Sequence, residues 1–166
     1  MFGKSLCTCA SLILIVLLGT SYGEVSNILV NPGFESNLTG NWTARGCSIN
    51  RATSPAPHSG SRSGRAYSRT DTWQGIQQDV TSKMVPGQTY IVSGWVRTDN
   101  SAGSTMHITF EKQDGSGTHW DWAASGTASS SGWTYISGSY TLNVTEPFGA
   151  LFVYVESSDL NNIYLD

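Results

Sequence analysis

The sequence predicts an all-β domain built as an antiparallel β-sandwich. Apolar and polar residues alternate with period 2 along the second half of the chain. Helical periodicity is almost absent, and clusters of Gly, Pro, Asn and Ser separate the alternating runs. A closed β-barrel fits the same observations and is the second candidate.

The first 23 residues stand apart from this pattern. Lys4 supplies a positive start, and residues 10–18 form an apolar run too short to span a bilayer. Ser21-Tyr-Gly23 places small residues where a leader is cut. Residues 1–23 are therefore expected to be a signal peptide cleaved after Gly23, because Gly19-Thr20-Ser21 ends the apolar run too early for a good anchor. Residues 24–166 are expected to form one secreted, extracellular domain, free of the membrane once the leader is gone. Cys7 and Cys9 leave with the leader, so Cys47 has no internal partner. It is either a buried thiol or half of a bridge to another chain segment.

Gln88 to Arg97 sets Tyr90, Val92, Gly94 and Val96 on one face against Ile91, Ser93 and Trp95 on the other. Met106, Ile108 and Phe110 alternate with His107, Thr109 and Glu111. Further strands are expected at residues 133–142 and 150–156. Pro86-Gly87, Asn100 to Gly103, Asp114-Gly-Ser-Gly117, Ser129 to Gly132 and Glu146-Pro147 mark the turns. Residues 51–64, rich in Ser, Pro and Gly, read as a loop. His58, His107 and His119 are scattered without metal-ligand spacing and read as surface or turn residues.

Only 13 % of residues are charged, and the formal net charge is −3. That excludes a nucleic-acid binder, which needs a basic face. The uncharged polar surface suits a hydroxyl-rich neutral partner. Asn37-Leu-Thr39, Asn41-Trp-Thr43 and Asn143-Val-Thr145 are N-glycosylation sequons, which makes a glycoprotein the expectation in a eukaryotic secretory pathway.

Trp73 lies in Arg69-Thr-Asp-Thr-Trp-Gln-Gly75, with no other apolar side chain around it. A flat ring among hydroxyls, an amide, a carboxylate and a guanidinium fits a neutral sugar. The ring would pack on the C–H face while the polar groups bond the hydroxyls. A half-buried strand-edge tryptophan is the plainer alternative. In residues 150–156, Leu151, Val153 and Val155 face one way, and Phe152, Tyr154 and Glu156 the other. A carboxylate is costly in an apolar core, so the Tyr154/Glu156 side is expected to line a groove or meet solvent. Trp120 and Trp122 share one strand face, with at least one expected to be exposed.

These motifs resemble a carbohydrate-binding module of family 22, within the wider family 4/9 type. The resemblance rests on Asn31-Pro-Gly-Phe-Glu35, Trp42-Thr-Ala-Arg45-Gly46, His58-Ser-Gly-Ser61, Trp73-Gln-Gly75, Pro86-Gly-Gln-Thr-Tyr90, Tyr154-Val-Glu156 and Ile163-Tyr-Leu-Asp166. It implies a jelly roll with a concave groove that binds xylan or mixed-linked β-glucan, and a place beside a family 10 xylanase domain. By resemblance, Trp73 stacks a sugar, Arg45 and Tyr154 line the groove, and Glu156 bonds sugar hydroxyls. Trp120 stands where many members carry a tyrosine. Glu35 and Asp166 match the ligands of a structural calcium, which carbonyls near Gly33 and Ser61 would complete. The last strand is expected to run past Asp166, which makes the sequence a fragment that a catalytic domain could follow.

Two other classes compete with a binding module. A jelly-roll glycosidase would need a second carboxylate across the scissile bond, with Glu111 and Glu156 on strands. No second carboxylate is expected to share an aromatic groove setting like that of Glu156. A lectin-like glycoprotein would bind other glycans.

Overall fold

The computed structural model describes residues 16–17 and 26–166. Two antiparallel sheets face each other, and no helix occurs among the described residues. None is therefore long and apolar enough to cross a membrane. The arrangement is an open sandwich with distinct edges, not a closed barrel.

The first sheet centres on β6 (Thr89–Thr98). Strand β9 (Thr134–Thr141) pairs with β6 over Thr89–Val96, and β11 (Ile163–Leu165) pairs with its Val96–Thr98 end. Beyond β11 lie β4 (Ser63–Tyr67) and β3 (Ser48–Ala52). A two-residue strand, β1 (Val16–Leu17), pairs with Tyr90 and Ile91. The rest of the expected leader lies outside the described residues. Asp166 continues the last strand, exchanging two backbone hydrogen bonds with Trp95 at 3.0 Å each.

The second sheet runs β2 (Thr43–Arg45), β5 (Gly75–Asp79), β10 (Ala150–Ser157), β7 (Ser104–Asp114), β8 (Gly117–Ala128). Alternation explains its two faces. Ile76, Met106, Ile108, Phe110, Leu151, Val153 and Val155 turn inward and are buried. They meet Val92, Val96, Ile136, Ile163 and Leu165 from the first sheet. The Phe110 and Tyr140 rings stack at 4.0 Å and 11° between the layers. Trp42 and Phe34 close one end at 4.9 Å, and the Trp42 indole donates to Asn31 O.

Strands β2 to β5 are the elements that alternation did not reveal. They are short, and in β5 the adjacent Gln77 and Gln78 leave no apolar alternation to read. Gln78 is buried, with its amide tied to Val30 N and O at 2.8 and 2.9 Å. The expected loop at 51–64 contracts to 53–62, because β3 reaches Ala52 and β4 begins at Ser63.

One irregularity controls the outer face of the second sheet. The β7–β8 register pairs Ile108 with Ala124 but Thr109 with Trp122, so Ala123 is an extra residue on β8. A bulge reverses the parity of a strand. Beyond it, Ala124 and Ala128 face the core and are buried. Before it, Trp120 and Trp122 face outward and are 58 % and 66 % exposed. Both indoles are therefore displayed, and neither packs in the core.

Candidate functional site

The outer face of the second sheet gathers the polar and aromatic residues that the inner face rejects. A single register row crosses it: Thr43, Gln77, Tyr154, Thr109, Trp122. The next row holds Phe152, Glu111 and Trp120. Arg45, Trp73, Trp120, Tyr154 and Glu156 line one concave pocket of about 480 Å³. The five residues expected to bind sugar thus come together, although β2, β8, β10 and the loop before β5 supply them separately.

Arg45 is the centre of the pocket. Its guanidinium lies 4.3 Å from the Tyr154 ring centroid and 5.4 Å from that of Trp73. It pairs with the Glu111 carboxylate and reaches Gln77 Oε1 at 3.4 Å. Its Nε is buried without a hydrogen-bond partner. Tyr154 is therefore a buried floor beneath Arg45, 2 % exposed, rather than an open ring. Burial, reinforced by the Glu156 carboxylate, pushes its hydroxyl well above the usual range, so it stays a neutral donor.

Glu111 lies buried behind this pocket and contacts two of its lining residues, Arg45 and Trp120, contrary to the expectation that Glu156 alone had an aromatic setting. The Trp120 indole donates to Glu111 Oε2 at 3.3 Å, and Gln113 donates to Oε1 at 2.8 Å. Burial would raise its pKa, but the Gln113 bond and the Arg45 charge outweigh burial and hold it below the ordinary value. A carboxylate held ionised by an arginine is a poor proton donor, so Glu111 does not qualify as a hydrolytic acid. Glu156 Oε1 accepts from Thr109 Oγ1 at 2.8 Å and from the Trp122 indole at 2.7 Å.

Trp73 sits at the tip of the loop before β5, 44 % exposed. Its ring passes over Gly46, where an added Cβ would lie 2.8 Å from Cη2. With φ of +72°, Gly46 supplies both the clearance and the left-handed backbone. The polar neighbours of Trp73 do not act as expected. Arg69 is 6 % exposed and faces into the loop. It donates to the carbonyls of Thr72, Gln74, Ser157, Asp159 and Asn161 at 2.7–3.3 Å. Gln74 is also buried, and it accepts from the amides of Thr70 and Asp71. A loop full of unpaired carbonyls needs internal donors, so these groups hold the loop and leave the ring uncovered.

Glu35 and Asp166 flank a different loop. Glu35 accepts from Ser61 N, Ser61 Oγ and Arg62 N at 2.6–3.0 Å. The Ser61 bonds, side chain then backbone, hold its pKa below the usual value against slight burial. Asp166 accepts from Ser59 N at 3.1 Å and Ser59 Oγ at 2.8 Å. Calcium takes six to eight oxygens. Here both carboxylates are engaged by N–H and O–H groups, and no group of three or more His, Cys, Asp or Glu suited to a metal occurs among the described residues. The geometry is that of a clamp on residues 59–62.

Cys47 is half-buried, not fully so, and its thiol donates to Gly75 O at 3.3 Å. Burial raises its pKa. His107, read as a surface or turn residue, stands on β7 in the groove and stacks on Trp122 at 3.9 Å and 14°. Its alternation with Ile108 was the signal available, since Thr109 and Glu111 share that parity. His58 stacks at 3.8 Å on Trp95, which belongs to the other sheet. Asn37 and Asn143 are exposed, and Asn41 is half-buried.

A family profile described as a carbohydrate binding domain matches residues 26–160. The chain is 33 % identical over 141 residues to endo-1,4-beta-xylanase A of Thermoanaerobacterium saccharolyticum, covering 82 % of this chain and 12 % of that protein. It is 30 % identical over 141 residues to endo-1,4-beta-xylanase 1 of Arabidopsis thaliana, covering 80 % and 15 %. The chain thus spans only a small part of the curated relatives it matches. Among solved structures, the CBM22-1 xylan-binding domain of Paenibacillus barcinonensis Xyn10C superposes with a TM-score of 0.71 at 28 % identity. That match covers 81 % of this chain and 86 % of that one. The C-terminal family 22 carbohydrate binding module of Clostridium thermocellum Xyn10B gives 0.70 at 27 %, covering 80 % and 86 %.

Proposed function

Because the chain belongs to the carbohydrate binding domain family, we propose that its groove holds xylan without cleaving it. The convergence of Arg45, Trp73, Trp120, Tyr154 and Glu156 in one pocket carries this reading. Two exposed indoles offer apolar faces to the C–H side of a sugar, and Arg45 and Glu156 offer a donor and an acceptor to its hydroxyls. Aromatic contacts contribute about 1 kcal/mol each, and desolvation offsets much of the hydrogen bonding. Affinity is expected on the order of micromolar. Mixed-linked β-glucan has the same neutral hydroxyl chemistry and is the second ligand.

Joined to a catalytic domain, this domain would hold that partner against an insoluble polymer and raise its local concentration. Secretion, with residues 1–23 as the leader, follows from a substrate that lies outside the cell. Electrophoresis through gels containing soluble xylan tests the binding. Retardation relative to a non-binding control supports it, and unchanged mobility rejects it.

Calcium at the Glu35/Asp166 clamp is a separate proposal. The ion would have to displace the Ser59 and Ser61 donors. A higher Tm in calcium chloride than in chelator would support it, and an equal Tm would reject it.

A further inference from the structure

Beyond Glu156 the groove does not end. A second hollow of about 280 Å³ is lined by Thr72, His107, Trp122, Glu156, Ser157 and Ser158. It shares Glu156 with the first pocket, so the two are neighbours along one face.

Trp122 dominates this hollow, and two contacts fix it. One ring face lies on the His107 imidazole at 3.9 Å and 14°, and the indole N–H donates to Glu156 Oε1 at 2.7 Å. His107 is fixed in turn through a 2.7 Å hydrogen bond between Nδ1 and Ser125 Oγ. Burial lowers the His107 pKa against the pull of Glu156, so the supporting ring is neutral at neutral pH. Trp122 nevertheless remains 66 % exposed. An indole held in one orientation with its outer side uncovered is pre-organised for stacking, because little side-chain freedom remains to be lost on binding. Apart from Glu156 and the His107 ring, the residues around Trp122 are Thr72, Ser157 and Ser158, uncharged and hydroxyl-bearing, which suits a neutral sugar and not an ion.

Resting on the binding role proposed above, we propose that Trp122, backed by His107, is the platform of a second sugar subsite. It takes a further unit of the same neutral β-linked glycan chain that enters the Arg45/Trp73/Trp120 pocket. Glu156 stands between the two units and contacts both. The site is thus a groove that measures chain length, not a pocket for one ring.

Isothermal titration with xylo-oligosaccharides of two to six units tests this. Wild-type affinity should rise with length until both subsites are filled. Trp122→Ala should leave the shortest bound oligomer within about twofold and remove on the order of fivefold from the longest. Trp122→Phe, which keeps a ring but loses the N–H, should retain most of the gain with length. The proposal is overturned if Trp122→Ala matches wild type at every length. It is equally overturned if all lengths weaken alike, since Trp122 would then act only through Glu156. Absence of wild-type binding to every oligomer would overturn the xylan reading and this subsite with it. Loss on Trp73→Ala with no change on Trp122→Ala would overturn the subsite alone.

Discussion

Trp73 and the Trp120/Trp122 pair reach one groove on unlike supports. Trp73 rides on an irregular loop, held from beneath by a buried guanidinium that satisfies five carbonyls. Trp120 and Trp122 ride on a regular strand, and an extra residue at Ala123 turns them outward. On the loop, local polar chemistry supplies the rigidity. On the strand, the ladder supplies the rigidity and parity supplies the direction. Rings presented in these two ways fail for different reasons, and the difference can be measured.

Deleting Ala123 is expected to have the largest effect. Without the bulge, either Trp120 and Trp122 turn inward or Ala124 and Ala128 turn outward, and neither fits a filled core. Loss of cooperative thermal unfolding, or of soluble protein, is the expected result. A well-folded deletion variant that still binds would show that the bulge does not set the direction of the rings. Arg69→Ala comes next. It strands several buried carbonyls at once and is expected to cost about 3 kcal/mol or more in urea unfolding. Arg69→Lys should rescue little, because one ammonium cannot reproduce a planar fork of five donors.

The same contrast explains what the sequence discloses. The strand-borne side was readable: alternation at Met106–Glu111 and Leu151–Glu156 assigns Glu156 and Tyr154 to the outer face and the aliphatic residues to the core. The bulge was not readable, because Ala-Ala at 123–124 carries no mark of the residue that will be skipped. The loop-borne side was readable only in its exposed ring. Arg69 and Gln74 look like ligand-binding groups beside Trp73, but carbonyls from residues 72 to 161 that converge only in the fold engage Arg69, and Thr70 and Asp71 engage Gln74. The support that Glu111 gives the groove was hidden in the sequence for a similar reason. Its partners Arg45 and Trp120 are brought to it by β2 and β8, far apart in sequence.

Removing a ring tests presentation without disturbing its support. Trp73→Ala should weaken xylan binding about tenfold while unfolding stability changes by less than about 1 kcal/mol, since the ring is substantially exposed. Binding equal to wild type would remove Trp73 from the site.

The smallest expected effect separates the two supports by pH. Asp159 joins them: its carboxylate accepts from Asn100 Nδ2 at 2.8 Å and from the Ser104 hydroxyl on β7, while its carbonyl accepts from Arg69 at 2.8 Å. Burial would raise its pKa, but hydrogen bonds from Ser104, Asn100 and Asn161 outweigh burial and lower it to about 2 from an ordinary 3.8. A depressed carboxyl pKa contributes stability that is fully present above the ordinary value. That stability is lost as pH falls from the ordinary value through the folded one. Partial exposure reduces the contribution to about 1 kcal/mol. Urea midpoints of wild type and Asp159→Asn should therefore differ at pH 7 and converge between pH 4 and pH 2. If the loop alone depends on this tie, tryptophan fluorescence should report the acid transition in a Trp120→Phe/Trp122→Phe protein, where Trp73 adds its signal to the shared background of Trp42, Trp95 and Trp133. A Trp73→Phe protein, which keeps the strand-borne rings, should show a weaker one. Equal transitions in both backgrounds would mean that loop and strand open together, and that the two supports are one cooperative unit.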